Sequence, residues 1–364
     1  MGRRRPPRGR SISALAIAWF HFSVPVSCAP PAFDASVRNA GTPGGAGAAA
    51  AEERPFAALT EVSIKESAWH LNGKITYPGA RAEGLLLNAR MANATFEDTN
   101  PATRPAGFDP EKNVEAFLAK LPDYVAHGVL GFTLSLQGAH PGYKGAVCSA
   151  FERDGGLRPD YLRRVARVVE ACDRLGAVVI VTCFDAEQDQ ILEDAAAVKN
   201  AVVQAAGWIR RRGYKNVCLE IAHEHASKGY DHETIRDPSG VRDLIRLAHQ
   251  AAPGLLVSSS GMGGGRAAHA IAVEGDFVLL HFGDVPIDQI LERVASADKV
   301  SKPIVCSEDR RTGEEGAKAL ETSVNAWCSW GFSNAAKNQT YPFRFEGAAD
   351  DPVVYAKFKE LANP

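Results

Sequence analysis

Short apolar runs alternate with amphipathic stretches from Gly84 to the end of the chain, and this alternation constrains the fold more than any other feature. Apolar, β-branched runs indicate buried strands, whereas apolar residues repeated every three or four positions indicate helices. Strands are predicted over residues 84–90, 128–136, 177–184, 216–222, 255–260, 276–282, 303–307 and 328–332. Helices are predicted over residues 111–126, 159–175, 196–212, 239–251, 286–297 and 313–326.

Eight strands that alternate with helices over roughly 280 residues predict an α/β fold, a (β/α)8 TIM barrel. A doubly wound sheet is the alternative, but its first βα turn usually carries a Gly-x-Gly-x-x-Gly phosphate cradle. Residues 88–93, which follow the first strand, do not have this pattern. The glycine-rich turn at 261–266 follows the fifth strand and reads as a loop at the barrel mouth.

A short N-terminal β-hairpin is predicted ahead of the barrel. Residues 62–78 alternate in polarity around Asn72-Gly73, and this dipeptide between alternating runs is typical of a hairpin turn. We expect this hairpin to flank or plug the bottom of the barrel.

The first 55 residues divide into two segments of unlike composition. Residues 1–28 combine five arginines, a short apolar stretch and small residues, which predicts a signal peptide. Residues 29–55 are rich in Ala, Gly and Pro, which predicts a flexible linker ahead of a barrel domain over 56–364. The protein is therefore expected to be secreted or periplasmic. Lipid anchoring at Cys28 is an alternative, although Pro25 fits that pattern poorly.

Charge and cysteine content exclude several classes of function. The formal net charge is −2, and the part after residue 28 has 36 basic against 43 acidic residues, or −7. A mildly acidic chain argues against a nucleic-acid partner, whose phosphates require a basic patch. The apolar stretch near the N-terminus is too short for a good membrane span. The seven cysteines form no Cys-x-x-Cys pair, so no structural zinc site is expected.

Two glutamates lie where predicted strands end. Glu224 follows the fourth strand and Glu308 ends the seventh, three βα units later. Carboxylates at the C-terminal ends of barrel strands lie where TIM-barrel enzymes keep their chemistry. A pair of carboxylates is the minimum equipment for glycoside hydrolysis. We expect partial burial to raise the pKa of Glu224, and Glu220, deeper on the same strand face, to need an internal partner.

Other polar and aromatic residues also follow strand ends and are candidates for lining a substrate cleft, although each is as well suited to packing or bracing a loop. These residues are Asn88, Arg90, Gln137, His140, Phe184, His281 and Trp330. The run His223-Glu224-His225 admits a metal site. Because successive strand residues point to opposite faces, His223 and His225 are expected to point away from Glu224, and no metal is predicted.

The two glutamate motifs resemble those of a known enzyme family. Glu220-Ile-Ala-His-Glu224 resembles the Glu-Ile-x-Asn-Glu motif of retaining (β/α)8 glycoside hydrolases, with the cellulase-like family 5 closest, and residues 303–308 are similar to its seventh strand. The resemblance implies that Glu224 is the acid/base and Glu308 the nucleophile, with carboxyls about 5–5.5 Å apart. It also implies substrate-binding roles for His281 and Trp330. The expected substrate is a poly- or oligosaccharide, cleaved by a monomer without cofactor or metal.

Two positions depart from this family. His223 stands where the family has an asparagine that binds the sugar, and Gly283 stands where the family often has a tyrosine that holds the nucleophile. Histidine can still donate a hydrogen bond, so His223 remains a candidate substrate-binding residue. These departures leave open a non-catalytic carbohydrate-binding barrel. A metal-dependent hydrolase that uses His223, His225 and His281 is a third hypothesis.

Overall fold

Parallel strands form a barrel in the computed structural model, which describes residues 55–138 and 140–364. The barrel strands within these ranges are β4 (Asn88–Arg90), β5 (Gly131–Ser135), β6 (Val178–Phe184), β7 (Val217–Ala222), β8 (Leu256–Ser258), β9 (Val278–His281), β10 (Ile304–Glu308) and β11 (Gly331–Phe332). All eight overlap the strands predicted from the apolar runs. The α/β class and the (β/α)8 architecture predicted from the sequence are confirmed.

Strand pairing runs around the barrel in two ladders. One ladder has the order β11-β4-β5-β6-β7-β8, and the other pairs β9 with β10, all in parallel. Isolated parallel bridges join the two ladders. Ser260 pairs with Leu279 at one junction, and Val305 pairs with Ser329 at the other. The C-terminal ends of the eight strands therefore meet at one mouth.

Helices follow each barrel strand and cover its outer face. They are α1 (Pro110–Ala126), α2 (Pro159–Arg174), α3 (Ala195–Arg212), α4 (Glu233–Arg236), α5 (Pro238–Ala251), α6 (His269–Glu274), α7 (Ile290–Ala297), α8 (Gly313–Asn325) and α9 (Pro352–Ala362). Aspartates cap several N-termini, and the side chain of Asp194 accepts hydrogen bonds from two backbone N–H groups of α3. The sequence did not predict α4, α6 or α9, because α4 and α6 are too short for a clear repeat. No helix among the described residues is long and apolar enough to cross a membrane.

A three-stranded antiparallel sheet closes the bottom of the barrel. It consists of β1 (Val62–Lys65), β2 (Ala68–Leu71) and β3 (Lys74–Ile75). The predicted turn at Asn72-Gly73 joins β2 to β3, and both residues have positive φ, as a tight hairpin requires. Trp69 is fully buried against Leu86, and its ring centroid lies 5.3 Å from that of Phe277. The predicted plug is therefore confirmed, with one more strand than the hairpin required.

The predicted signal peptide and almost all of the predicted linker lie outside the described residues. Six cysteines lie within the described ranges, and all six are buried free thiols. They pack as small hydrophobic residues in the interior.

Candidate active site

Glu224 reaches the barrel mouth through a break in strand geometry. Strand β7 ends at Ala222, and Glu224 has φ 51°, in the left-handed region. The Glu224 N–H donates to Ser260 Oγ at 3.0 Å, which ties this turn to the neighbouring strand end. Because the extended geometry ends before Glu224, His223 and Glu224 reach the same cluster of side chains. The prediction that His223 points away from Glu224 is therefore wrong, since strand alternation no longer applies there.

Glu308 lies at the end of β10, where two cationic side chains contact its carboxylate. Its Oε2 lies 3.1 Å from His223 Nε2 and 3.1 Å from Arg90 Nε. Burial alone would raise the pKa of Glu308, but the hydrogen bond from His223 and the charge of Arg90 outweigh burial and hold the pKa well below its usual range. Glu308 is therefore ionised at neutral pH, which is the form a nucleophile requires.

Glu224 has a different environment from Glu308. Its Oε1 lies 3.0 Å from Nδ1 of His281, and its side chain is 25% exposed. Burial raises the pKa of Glu224. The hydrogen bond to His281 and the charges of His223 and His281 lower it by more than burial raises it, so the net pKa lies below its usual value. The expectation that burial would leave this pKa raised is wrong, because sequence alone did not show that His281 would contact this carboxylate.

Asp185 completes the buried charge network, although no sequence feature distinguished it. Its Oδ2 lies 3.5 Å from Nδ1 of His223 and 3.5 Å from a terminal nitrogen of Arg90. Burial raises the pKa of Asp185 to about 6, against the opposing charges of His223 and Arg90. The useful signal was position, since Asp185 directly follows β6 at the mouth of the barrel.

His223 connects the nucleophile candidate to Asp185 through its two ring nitrogens. Burial and the Arg90 charge lower its pKa, but Asp185 and Glu308 outweigh them, and the net pKa is raised. Its ring also lies 4.8 Å from the ring of His281, measured between centroids. His223 therefore acts as a positioning contact for Glu308, which the sequence did not indicate.

Glu220 lies below this cluster on the inner face of β7. It is fully buried, and Oε2 accepts a hydrogen bond of 2.6 Å from the hydroxyl of Thr182 on β6. The predicted internal partner of Glu220 is therefore present.

Asn88 and Trp330 lie in the protein interior rather than on an open cleft. Asn88 is fully buried, and its amide donates to the backbone carbonyls of Leu86 and Cys306. Trp330 is also fully buried, and its indole N–H donates to Asp309 at 3.0 Å. Its ring stacks on Phe332 at 5.9 Å between centroids. Trp330 therefore has no exposed face on which a sugar could stack in this structure.

Gln137, Phe184 and His140 also lie apart from the charged cluster. Gln137 accepts a hydrogen bond from the Asp185 N–H at 3.3 Å, so it braces the loop that carries Asp185. Phe184 is fully buried, with its ring centroid 5.8 Å from that of Phe151. His140 is exposed and accepts a local hydrogen bond from the Gly142 N–H. Among the predicted binding residues, the structure joins Arg90, His223 and His281 to the two glutamates.

The three histidines of the metal-dependent hypothesis do not all lie together in the structure. Potential ligand atoms of His223, Glu224 and His281 lie within 4.8 Å of one another. His225 does not join them, because its Nδ1 lies 3.3 Å from the backbone carbonyl of Arg236. The set His223, His225 and His281 that a metal-dependent hydrolase would use is therefore not assembled. His223 instead forms a hydrogen bond with Glu308, and His281 forms one with Glu224.

Comparison with known proteins identifies the fold. No family model and no curated protein matches the chain. The GH5-4 broad-specificity endoglucanase from Clostridium longisporum matches with a TM-score of 0.55 at 9% identity, over 79% of this chain and 99% of that one. The GH5-4 broad-specificity endoglucanase from Bacteroides salanitronis matches with a TM-score of 0.53 at 12% identity, over 76% of this chain and 93% of that one.

A third solved structure, of ZgEngAGH5_4 in complex with cellotriose, matches with a TM-score of 0.50 at 12% identity, over 79% of this chain and 99% of that one. At identities this low, the structural matches establish the fold alone. The chain is a (β/α)8 barrel of the α/β class. More narrowly, it has the cellulase-like fold of the GH5 endoglucanases, as the motifs ending at Glu224 and Glu308 predicted.

Proposed function

We propose that this protein is a glycoside hydrolase that cleaves O-glycosidic bonds of a poly- or oligosaccharide with retention of configuration. One observation carries the proposal. Two carboxylates, Glu224 and Glu308, lie at the C-terminal ends of the fourth and seventh strands of a barrel with the GH5 endoglucanase fold, and one histidine cluster contacts both. Paired carboxylates of this kind perform acid–base and nucleophilic catalysis in glycosidases.

Glu308 is the proposed nucleophile, and Oε1 is its attacking atom. His223 and Arg90 both contact Oε2, whereas the closest cation to Oε1 is Arg310, at 3.8 Å. In the first step Oε1 forms a bond to the anomeric carbon while the glycosidic C–O bond breaks, and Glu224 gives its proton to the departing oxygen. This step produces a glycosyl ester on Glu308.

The second step restores both carboxyl groups. Glu224, now a carboxylate, removes a proton from water, and the water oxygen attacks the anomeric carbon. The ester bond to Glu308 breaks, and the sugar leaves with its original configuration. The protein supplies the acid, the base and the nucleophile from its own side chains.

An oligosaccharide is the proposed ligand, in line with the cellotriose bound to the structurally similar ZgEngAGH5_4. The mouth of this barrel offers carboxylates, imidazoles and guanidinium groups, all of which form hydrogen bonds with sugar hydroxyls. No cofactor enters the proposed reaction.

The decisive experiment traps the glycosyl ester. A panel of 2-deoxy-2-fluoro glycosides with good leaving groups is incubated with the protein, and intact mass followed by peptide mapping locates any adduct. We expect one added glycosyl group on Glu308. Glu308→Gln should form no adduct and should abolish release of reducing ends while the protein stays folded. Undiminished turnover by Glu308→Gln would contradict the assignment.

A non-catalytic carbohydrate-binding barrel is the second candidate, and the lowered pKa of Glu224 favours it. A carboxylate that stays ionised beside His281 is a poor proton donor near neutral pH. This candidate predicts glycan binding by calorimetry with neither adduct formation nor release of reducing ends at any pH between 4 and 8.

Export is proposed from the composition of residues 1–28, with cleavage near Cys28. The intact mass of the protein purified from its native source tests this directly. A mature chain that begins after the apolar stretch supports export, and an added diacylglycerol mass on Cys28 would instead support anchoring. A chain that retains all 28 residues would contradict both.

A further inference from the structure

Gly283 leaves a space that the side chain of Arg310 occupies. A Cβ atom at position 283 would lie 2.9 Å from a terminal guanidinium nitrogen of Arg310 and 3.2 Å from its Nε. Contacts this short would displace the guanidinium group. The glycine after β9 and the arginine after β10 therefore form one arrangement, which places a cation against the proposed nucleophile.

The guanidinium group of Arg310 has its hydrogen-bonding capacity unused. Its Nε lies 3.8 Å from Glu308 Oε1, and a terminal nitrogen lies 3.8 Å from Asp284 Oδ1. Both distances exceed hydrogen-bond length, and no other described residue bonds this group. The side chain is 55% exposed, so its donors face solvent at the mouth of the barrel.

This cation lies on the side of the proposed attacking oxygen of Glu308. Arg90 and His223 already hold Oε2 of Glu308, so Arg310 adds a further positive group on the side of the attacking oxygen. Glycosidases pass through a transition state with positive charge on the sugar ring, and a nearby guanidinium group opposes that charge. A negative group on the sugar would remove the opposition.

Asp284 does not supply that negative group. Its side chain is 71% exposed, and the 3.8 Å contact with Arg310 is screened by solvent. Arginine presents a planar set of donors that matches the two oxygens of a carboxylate or sulfate. A sugar anion can therefore form hydrogen bonds that Asp284 does not form.

We infer that Arg310 binds an acidic group of the substrate, so that the preferred glycan carries a carboxylate or sulfate on the sugar next to Glu308. This inference rests on the proposed glycosidase function and narrows it to acidic glycans. The space above Gly283 is what makes the site possible, since any larger residue there displaces the guanidinium group.

The first experiment compares matched substrates. Release of reducing ends is measured on uronate-containing polysaccharides, on the same polymers after chemical reduction of their carboxyl groups, and on sulfated and neutral glycans. We expect kcat/KM to be about 10- to 100-fold higher on the acidic polymer than on its reduced form, because a hydrogen-bonded charge pair contributes a factor of this size. The sulfated arm separates the two sources of negative charge.

Three variants test the role of Arg310. Arg310→Ala removes the cation, and Gly283→Ala keeps the charge but displaces it from Glu308. Both should bring the ratio of kcat/KM for acidic over reduced polymer close to one, and Arg310→Lys should retain part of it. Arg242→Ala, on the outer surface of α5, removes an equal charge and should leave the ratio as it is in the unaltered protein.

Failure of this inference differs from failure of the proposed function. Equal activity on acidic and reduced polymers, with the ratio unchanged in Arg310→Ala, overturns the acidic-substrate inference and leaves the glycosidase intact. Absence of any adduct and any turnover overturns the glycosidase instead. Binding calorimetry then tests the anion site in the absence of turnover. Acidic oligosaccharides should bind at least tenfold more weakly to Arg310→Ala than to the unaltered protein, and equal binding by the two proteins overturns the inference about Arg310.

Discussion

His223 is the residue at which the sequence departs most clearly from the glycoside hydrolase motif that it resembles, and its contacts define its surroundings in the structure. The imidazole lies 3.1 Å from Glu308 and 3.5 Å from Asp185 through its two nitrogens. Its pKa is raised because these two carboxylates outweigh burial and Arg90. A protonated His223 donates from Nε2 to Glu308, so it orients the carboxylate of Glu308 as well as stabilising its charge, while Nδ1 faces Asp185 at ion-pair distance.

Replacement of His223 should therefore reduce catalysis. We expect His223→Ala to lower kcat/KM by about 10- to 100-fold, since it removes one charge-assisted hydrogen bond to the proposed nucleophile, Glu308. His223→Asn, which restores a side-chain donor at this position, should recover part of the loss. Steady-state kinetics measure the effect, and thermal unfolding controls for folding. Equal kcat/KM for His223→Ala and the unaltered protein would refute the positioning role.

His281 should set the pH dependence through Glu224. The hydrogen bond of 3.0 Å favours the ionised form of Glu224, so its pKa is lowered and the acid form required for the first step is depleted as pH rises. We expect kcat/KM to rise below neutral pH. In His281→Ala the pKa of Glu224 should increase, and the basic limb of the pH profile should move to higher pH. A basic limb that stays in place or moves to lower pH would contradict this role.

Neighbouring strands β6 and β7 share a buried polar contact below the proposed site. The hydroxyl of Thr182 donates to Glu220 at 2.6 Å, and both side chains are fully buried. Burying a carboxylate without a hydrogen-bond donor costs free energy of folding, so this contact stabilises strand β7 below Glu224.

A matched pair of threonines tests this contact. Thr182→Val removes the hydroxyl while keeping the shape, and we expect the free energy of unfolding to fall by about 1–3 kcal/mol because Glu220 loses its donor. Thr133 on β5 is equally buried, and its hydroxyl has no hydrogen-bond partner among the described residues. Thr133→Val should be neutral or slightly stabilising. Chemical denaturation measures both, and equal losses would show that the Thr182–Glu220 contact contributes little.

The whole molecule depends on the sheet that closes the barrel bottom. Trp69 fills the lower end of the barrel together with Leu86, Val178 and Leu279. Backbone hydrogen bonds also tie this region to the barrel, with the Val62 N–H donating to the Lys215 carbonyl at 2.9 Å. The sheet is therefore part of the hydrophobic core.

Two truncations separate the segment ahead of the barrel from the sheet. A chain that begins at residue 55 should keep the thermal unfolding midpoint and any activity, because the Phe56 N–H contact to Arg212 and all three strands remain. A chain that begins at residue 77 loses Trp69 and should be strongly destabilised, as removal of a buried tryptophan alone costs about 3–5 kcal/mol. Calorimetry distinguishes the two, and equal midpoints would contradict the structural role of the sheet.

Local sequence pattern determined the order and type of most elements. The apolar runs defined all eight barrel strands because buried parallel strands are apolar on both faces, which leaves a strong signal. The Asn72-Gly73 turn indicated the hairpin, since positive φ at two adjacent positions favours this dipeptide. The order of the predicted strands placed Glu224 and Glu308 at the ends of the fourth and seventh. Because the C-terminal ends of barrel strands meet at one mouth, both carboxylates were expected at the same end of the barrel.

Tertiary structure decided which of these strand-end residues meet. The left-handed turn at Glu224 directs His223 into the site, and the bond to His281 lowers the pKa of Glu224 rather than raising it. Arg310 lies over Gly283, whereas Trp330 is enclosed in the core. The sequence determined where along each strand a side chain falls. The histidine partners of Glu224 and Glu308 lie 57 and 85 residues away along the chain, and only packing brings such groups within hydrogen-bond reach.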